Sequence, residues 1–224
     1  MTMVYTDEQL MNMKNEFISL LRSTNRPGIE ELITWLDKNS DFFIAPASTY
    51  YHNSVKGGLL NHSLNVYKAA KMLLAGASTL AIEEKNIPSI QEESIIICTL
   101  LHDLCKTNFY HQIQKVWKDE SLPSPQCWRK YLSYEIKDNF PLGHGEKSVI
   151  QILHFIRLTP QEICAIRWHM GLTDPGAYLS PYLKNSMMDA MNNIPLVTLI
   201  AEADHFASFM MEREINQKLE CEVF

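Results

Sequence analysis

Apolar residues recur at helical spacing over most of the chain. Leu10, Met13, Phe17, Leu20 and Leu21 fall on one face of a helix. Thr6 and Gln9 make a capping-box pattern at its start, and Arg26-Pro27-Gly28 ends it. Residues 29–36 form a second amphipathic turn set. After an irregular stretch (41–58), Leu59, Leu60, Leu64, Val66, Tyr67, Ala70 and Leu73 predict a helix to about Ala75, closed by Gly76. Ser89 with Glu92 starts another, which runs through the apolar stretch Ile95 to Leu101 and stops at His102-Asp103.

Phe109, Ile113, Val116 and Trp117 continue the helical spacing more weakly. Residues 119–142 change character, because Pro123, Pro125 and Pro141 forbid a long helix, while Trp128, Tyr131, Tyr134 and Ile136 suggest a small hairpin. Beyond it His144 stands at the start of a helix. Thr159-Pro160-Gln161-Glu162 combines a capping box with proline at the first helical position, and its helix reaches Gly171. Ser180-Pro181 begins a helix through Met191, and Pro195 opens a last one to about residue 218. The pattern predicts one all-α domain over 1–224, with an N-terminal helical extension (1–40) and an irregular or β-hairpin insertion (119–142).

Composition changes this picture little: 46% hydrophobic and 21% charged residues are ordinary for a globular protein. A net charge of −6 argues against coating duplex nucleic acid, though not against a small anion in a local pocket. Five cysteines without Cys-x-x-Cys spacing point to a reducing compartment. The first residues lack the pattern of a secretory leader, and no apolar run nears the ~20 residues of a membrane span. A cytoplasmic protein without a membrane partner is expected; oligomeric state is not readable.

The chemistry lies in polar residues on apolar faces. His62, His102, Asp103 and Asp204 each interrupt a core-facing stripe, and burying such groups costs several kcal/mol unless they are paired or bind metal. His144 and His169 each lie beside a glycine at a helix end. Adjacent His102 and Asp103 would point about 100° apart on a helix, so they meet one point only at a crossing or a helix end. Spacing alone leaves two readings: a metal site, or a polar network inside the core. Tyr51 and His52 sit in the irregular loop and either line a site or cap the core edge.

The order His62, His102-Asp103, Asp204 resembles the metal-dependent HD-domain phosphohydrolases. Gly57-Gly58-Leu59-Leu60-Asn61-His62, preceded by Pro46-Ala47-Ser48 and Tyr51-His52, is most similar to HD domains of the YhaM-type exoribonucleases. His102-Asp103-Leu104-Cys105-Lys106 resembles the His-Asp-x-x-Lys of the superfamily, with Cys105 where glycine is common. The segments around His144 and His169 are similar to those of members that bind two metals. The likeness covers about 43–210, and no segment reads as the OB-fold of those exoribonucleases, a departure that bears on RNA as substrate.

The resemblance implies that His62, His102, Asp103 and Asp204 hold one divalent ion, and that His144 and His169 hold a second, bridged by Asp103. Such nitrogen and oxygen ligands suit Mn, Fe, Co, Ni or Zn better than Mg. Two ions ~3.5–4 Å apart clamp phosphoryl oxygens and activate a hydroxide for attack on phosphorus. Lys106 is then a phosphate contact, with Arg167, His52 and Tyr51 as further substrate contacts. The implied substrate is a nucleotide or a short single-stranded nucleic-acid end, cleaved as a monoester or diester. The alternative is a non-catalytic HD scaffold that binds a nucleotide or a partner, against which stands the filled ligand set.

Overall fold

The computed structural model describes residues 5–49, 52–80 and 89–212. Helix α1 (Asp7–Ser23) begins at the expected capping box: Gln9 N donates to Thr6 Oγ1 at 3.1 Å, and Thr6 N to Gln9 Oε1 at 2.8 Å. Helix α2 (Ile29–Lys38) follows. Helix α3 (Gly58–Leu80) runs past Gly76, where the pattern had ended it. A glycine in an exposed helix costs only about 1 kcal/mol, and a Cβ there would meet nothing within 4 Å. Helix α4 (Glu92–Leu101) starts after Gln91, two residues beyond the expected cap.

Strands β1 (Tyr110–Lys118) and β2 (Trp128–Ile136) pair antiparallel, Tyr110 opposite Ile136 and Lys118 opposite Trp128. The helix expected over 109–117 is therefore a strand. β-branched Ile113 and Val116 and aromatic Trp117 fit a pleated ribbon once a partner strand is present. The hairpin foreseen around Trp128–Ile136 forms, with its first strand drawn from before residue 119.

Helices α5 (His144–Leu153), α6 (Pro160–Arg167), α7 (Pro175–Leu179), α8 (Pro181–Asn193) and α9 (Pro195–Phe206) complete the bundle. Both the Thr159 capping box and Pro160 start α6 as expected. Helix α9 passes into a π-helical turn, Ala207–Met211, instead of continuing as α-helix; the expected end near 218 lies outside the described residues. No single described helix is long and apolar enough to cross a membrane.

Helix α4 is the axis. Its residues Ile95 to Leu101 are buried without a break, so it presents no solvent face, and α1, α3, α6 and α9 pack around it. The N-terminal extension is locked to this bundle by a buried ion pair. Arg26 donates from Nη1 and Nη2 to Glu162 Oε2 and Oε1 at 2.8 and 2.9 Å, and Ser94 Oγ and Thr159 N also donate to that carboxylate. Burial alone would raise the Glu162 pKa; these donors, Arg26 foremost, hold it below the usual value.

Arg26→Ala would strand a fully buried carboxylate and is expected to cost roughly 3–5 kcal/mol in urea unfolding. A loss under about 1 kcal/mol, the scale of a surface pair, would contradict this role. The carboxylate's contribution is complete above its unfolded pKa of about 4.3 and is lost as pH falls through the lower folded value.

Candidate metal centre

Four helix ends and one helix interior converge beyond the last turn of α4. His102 caps α4, and Asp103 (φ −102°, ψ 21°) leaves helical geometry for a 3-10 turn, Leu104–Lys106. The adjacent pair thus sits at a helix end, where both side chains face one point. His62 comes from the first turns of α3. That helix abuts the preceding loop so closely that a Cβ on Gly58 would lie 1.9 Å from Asn53 O. His144 opens α5, and His169 follows α6. Between them Gly145 packs against the Arg167 backbone, 2.3 Å from a Cβ to Arg167 O, so only glycine lets these two histidines approach, with ring centroids 5.2 Å apart. Asp204 comes from α9.

Asp103 is the hub. Its Oδ2 lies 3.6 Å from His62 Nε2 and 3.4 Å from His102 Nε2. Its Oδ1 lies 2.7 Å from His144 Nε2 and 3.6 Å from His169 Nε2. Asp204 Oδ1 is 3.1 Å from His62 Nε2 and 4.0 Å from His102 Nε2. His62, His102 and Asp204 form one group with ligand atoms within 4.8 Å of one another; His102, Asp103 and His169 form another.

The far sides of the rings decide which nitrogen is free. His102 Nδ1 donates to Thr99 O at 2.8 Å, and His169 Nδ1 to Ile166 O at 2.7 Å. His62 Nδ1 faces both Glu212 oxygens at 3.1 and 3.2 Å. Carbonyls and carboxylates only accept, so each Nδ1 carries the proton and each neutral ring turns an Nε2 lone pair inward. Two such lone pairs, His62 and His102 Nε2, face each other at 3.2 Å, and the buried His169 Nε2 has no hydrogen-bond partner. A cation satisfies all three. The donor set fits a divalent metal.

Without a cation, a proton must do part of this work. Burial opposes charge on His62, but Glu212 and Asp204 outweigh it and lift the pKa to about 10. Burial likewise disfavours the Asp103 carboxylate, yet Lys106 and His102 hold it well below the usual range. Lys106 Nζ sits 2.6 Å from Asp103 Oδ2, and that carboxylate raises its pKa against the effect of burial. His169 is raised by Asp103 and Asp204 against burial; for His144 burial wins, and its pKa falls. His144 differs further in facing the Cys105 thiol, 3.3 Å from its Nδ1, and in being 29% exposed. Cys105 is pushed up to about 12 by burial and Asp103, so it stays a thiol.

The structure brings His62, His102, Asp103, His144, His169 and Asp204 together, with Lys106 beside them. His52 lies behind His62, with ring centroids 4.8 Å apart, its Nε2 buried without a partner and its pKa pushed to about 3 by burial, then His62 and Lys106. Tyr51 lies outside the described residues. Arg167 is not brought to the cluster: its guanidinium pairs with Glu146 and Asp174 and stacks 3.8 Å over Trp168. Glu212 escaped the sequence pattern, since it sits eight residues after Asp204, off that residue's face on a regular helix.

The HD domain, as a family, matches residues 59–208. The chain belongs to the HD-domain family. Neither the curated proteins nor the solved structures gave a match. HD domains are in general metal-dependent hydrolases that bind divalent ions, and the buried cluster of this HD domain could hold one. All six clustered histidines and aspartates fall within the matched span; Arg26, His52 and Glu212 fall outside it.

Divalent Mn, Co or Zn should raise the melting temperature of the metal-stripped protein, and a chelator should reverse the gain. At a hundred times Kd the stabilisation is about 2.7 kcal/mol. Because protons compete for the same imidazoles, ion affinity should fall between pH 7.5 and pH 5, values chosen to bracket the ordinary histidine pKa of about 6.5. A melting temperature indifferent to all three ions at both values would rule out a cation at this cluster.

Proposed function

We propose that this HD domain is a phosphohydrolase that cleaves a phosphodiester at the end of a short single-stranded nucleic acid, with a nucleotide as the minimal substrate. The observation that carries the reading is the Asp103 carboxylate, whose two oxygens face different histidine pairs. In this reading His62, His102, Asp204 and Asp103 hold one ion, and Asp103, His144 and His169 hold a second. Mn, Fe, Co, Ni and Zn all suit that donor set. Bound there, such ions supply Lewis acidity to a phosphoryl group and acidify water.

The chain's own residues then bind and orient. Lys106, 9% exposed, offers its ammonium group as a charge-assisted donor to a phosphate oxygen. Asp103 holds that ammonium at the edge of the cluster. Cys105 remains protonated, so no side-chain nucleophile competes with water. His52, proposed as a further substrate contact, is neutral and packs against the His62 ring.

The hairpin favours a strand over a free nucleotide. By register, Lys118, Lys130 and Trp128 share one face of the ribbon and Lys115, Arg129 and Trp117 the other, where Arg129 Nε lies 3.7 Å from Asp119 Oδ2. Trp117 and Trp128 are exposed near its far end. At its root Tyr110 is anchored through its hydroxyl to Ala47 O at 3.4 Å, four residues after Lys106. A nine-residue ribbon extends roughly 30 Å, several nucleotides beyond the cluster. The face that carries Lys118, Lys130 and Trp128, cationic and aromatic, suits a single strand. The likeness of the Gly57–Ser63 segment to YhaM-type domains supports the same class.

Asp103→Ala should abolish phosphodiesterase activity with Mn while leaving the far-UV circular dichroism helical; retained activity would sink the reading. Lys118→Glu with Lys130→Glu should raise KM for a short oligodeoxynucleotide or oligoribonucleotide and leave a small aryl phosphodiester unaffected. Equal KM values for the oligonucleotides in parent and variant would remove the hairpin from substrate binding.

A further inference from the structure

Behind His62 stands a carboxylate beyond the matched span. Glu212 is fully buried. It accepts from His62 Nδ1 at 3.1 and 3.2 Å and from Asn65 Nδ2 at 3.0 Å. Burying a carboxylate costs several kcal/mol unless donors replace its water. Asn65, one turn after His62 on α3, supplies one donor, and the His62 ring supplies the other.

The π-helical turn explains how Glu212 reaches this place. Glu212 N donates to Ala207 O at 3.1 Å, five residues back. On an unbroken α-helix, eight residues would put Glu212 about 80° around the axis from Asp204. A π-turn absorbs one residue and reduces that offset to about 20°. One helix end therefore delivers both carboxylates to the same imidazole: Asp204 Oδ1 to Nε2 at 3.1 Å, and Glu212 to Nδ1.

The other inward-facing rings are held differently. His102 and His169 donate Nδ1–H to neutral backbone carbonyls. Among the described residues with such geometry, His62 alone has a carboxylate on that side. A carboxylate fixes the tautomer and makes the opposite nitrogen a stronger donor.

We propose that Glu212 is the positioning residue of the His62 ligand: it holds the ring with Nδ1 protonated and Nε2 aimed into the His62–His102–Asp204 group, and so sets the affinity of that group for a divalent ion. In this role Glu212 acts through the His62 ring, from the side opposite Asp204. The proposal rests on the metal-binding reading above and extends it to a residue outside the matched HD span.

The test is calorimetric titration of Zn into metal-stripped full-length parent, Glu212→Ala and Glu212→Gln, with 15N NMR of the Zn-loaded proteins assigning the His62 ring. Glu212→Ala should weaken ion binding about 10–100-fold and alter the His62 Nδ1–H signal, while the His102 and His169 rings keep theirs. Glu212→Gln preserves volume and one acceptor oxygen but removes the charge, so it should fall between parent and alanine variant. If Glu212→Ala does not fold, Glu212→Gln decides the matter alone. Variants that bind Zn as tightly as the parent, with only a lower melting temperature, would overturn the proposal and leave the metal centre standing. A parent that takes up no ion would overturn both.

Discussion

A single buried carboxylate organises this molecule. Asp103 is buried, yet three histidine nitrogens at 3.4–3.6 Å, a fourth at 2.7 Å and the Lys106 ammonium at 2.6 Å surround it. None of those neighbours comes from the same element as another, apart from His102 and Lys106, which flank Asp103 in the chain. The cost of burying so much polarity is several kcal/mol per charge, and the bundle can bear it only if every partner arrives. Helices α3, α4, α5, α6 and α9 are thus constrained to end or cross at one point.

The local chemistry of the chain serves that convergence. Helix α4 can lie at the centre because all seven residues from Ile95 to Leu101 are content in the core, and it stops where its polar pair begins. Gly145 permits α5 to touch the end of α6, and backbone carbonyls of Thr99 and Ile166, each three residues before its histidine, set two of the rings. These carbonyls belong to helix ends that lack onward partners, so helix termination and ring orientation are the same event. His62 lies inside a helix, where no such carbonyl is free. Its outer nitrogen is met by Glu212 from another element.

Much of this was legible beforehand. The capping boxes at Thr6 and Thr159, the proline starts of α6, α8 and α9, and the polar intrusions at His62, His102, Asp103 and Asp204 are local patterns, and the structure honours them. Where the reading failed, a nonlocal partner decided. Residues 110–118 carry a weak helical spacing, but the strand 128–136 offers them a ladder and they take it. Arg167 looked free to meet a phosphate, but Glu146 and Asp174, from α5 and the α7 cap, occupy it. Glu212 was invisible because its position depends on a π-turn, which no side-chain pattern announces.

By itself, then, the sequence determined an all-α HD domain with its buried histidines and aspartates in order, because capping, periodicity and polar breaks in apolar faces act within a few turns of chain. Tertiary structure decided which oxygen of Asp103 faces which histidine, that His169 Nε2 is left without a protein partner, and that Glu212 backs His62. Those are matters of direction and distance between helices far apart in sequence. They follow from how a buried charge must be surrounded, and only the packed bundle supplies the surroundings.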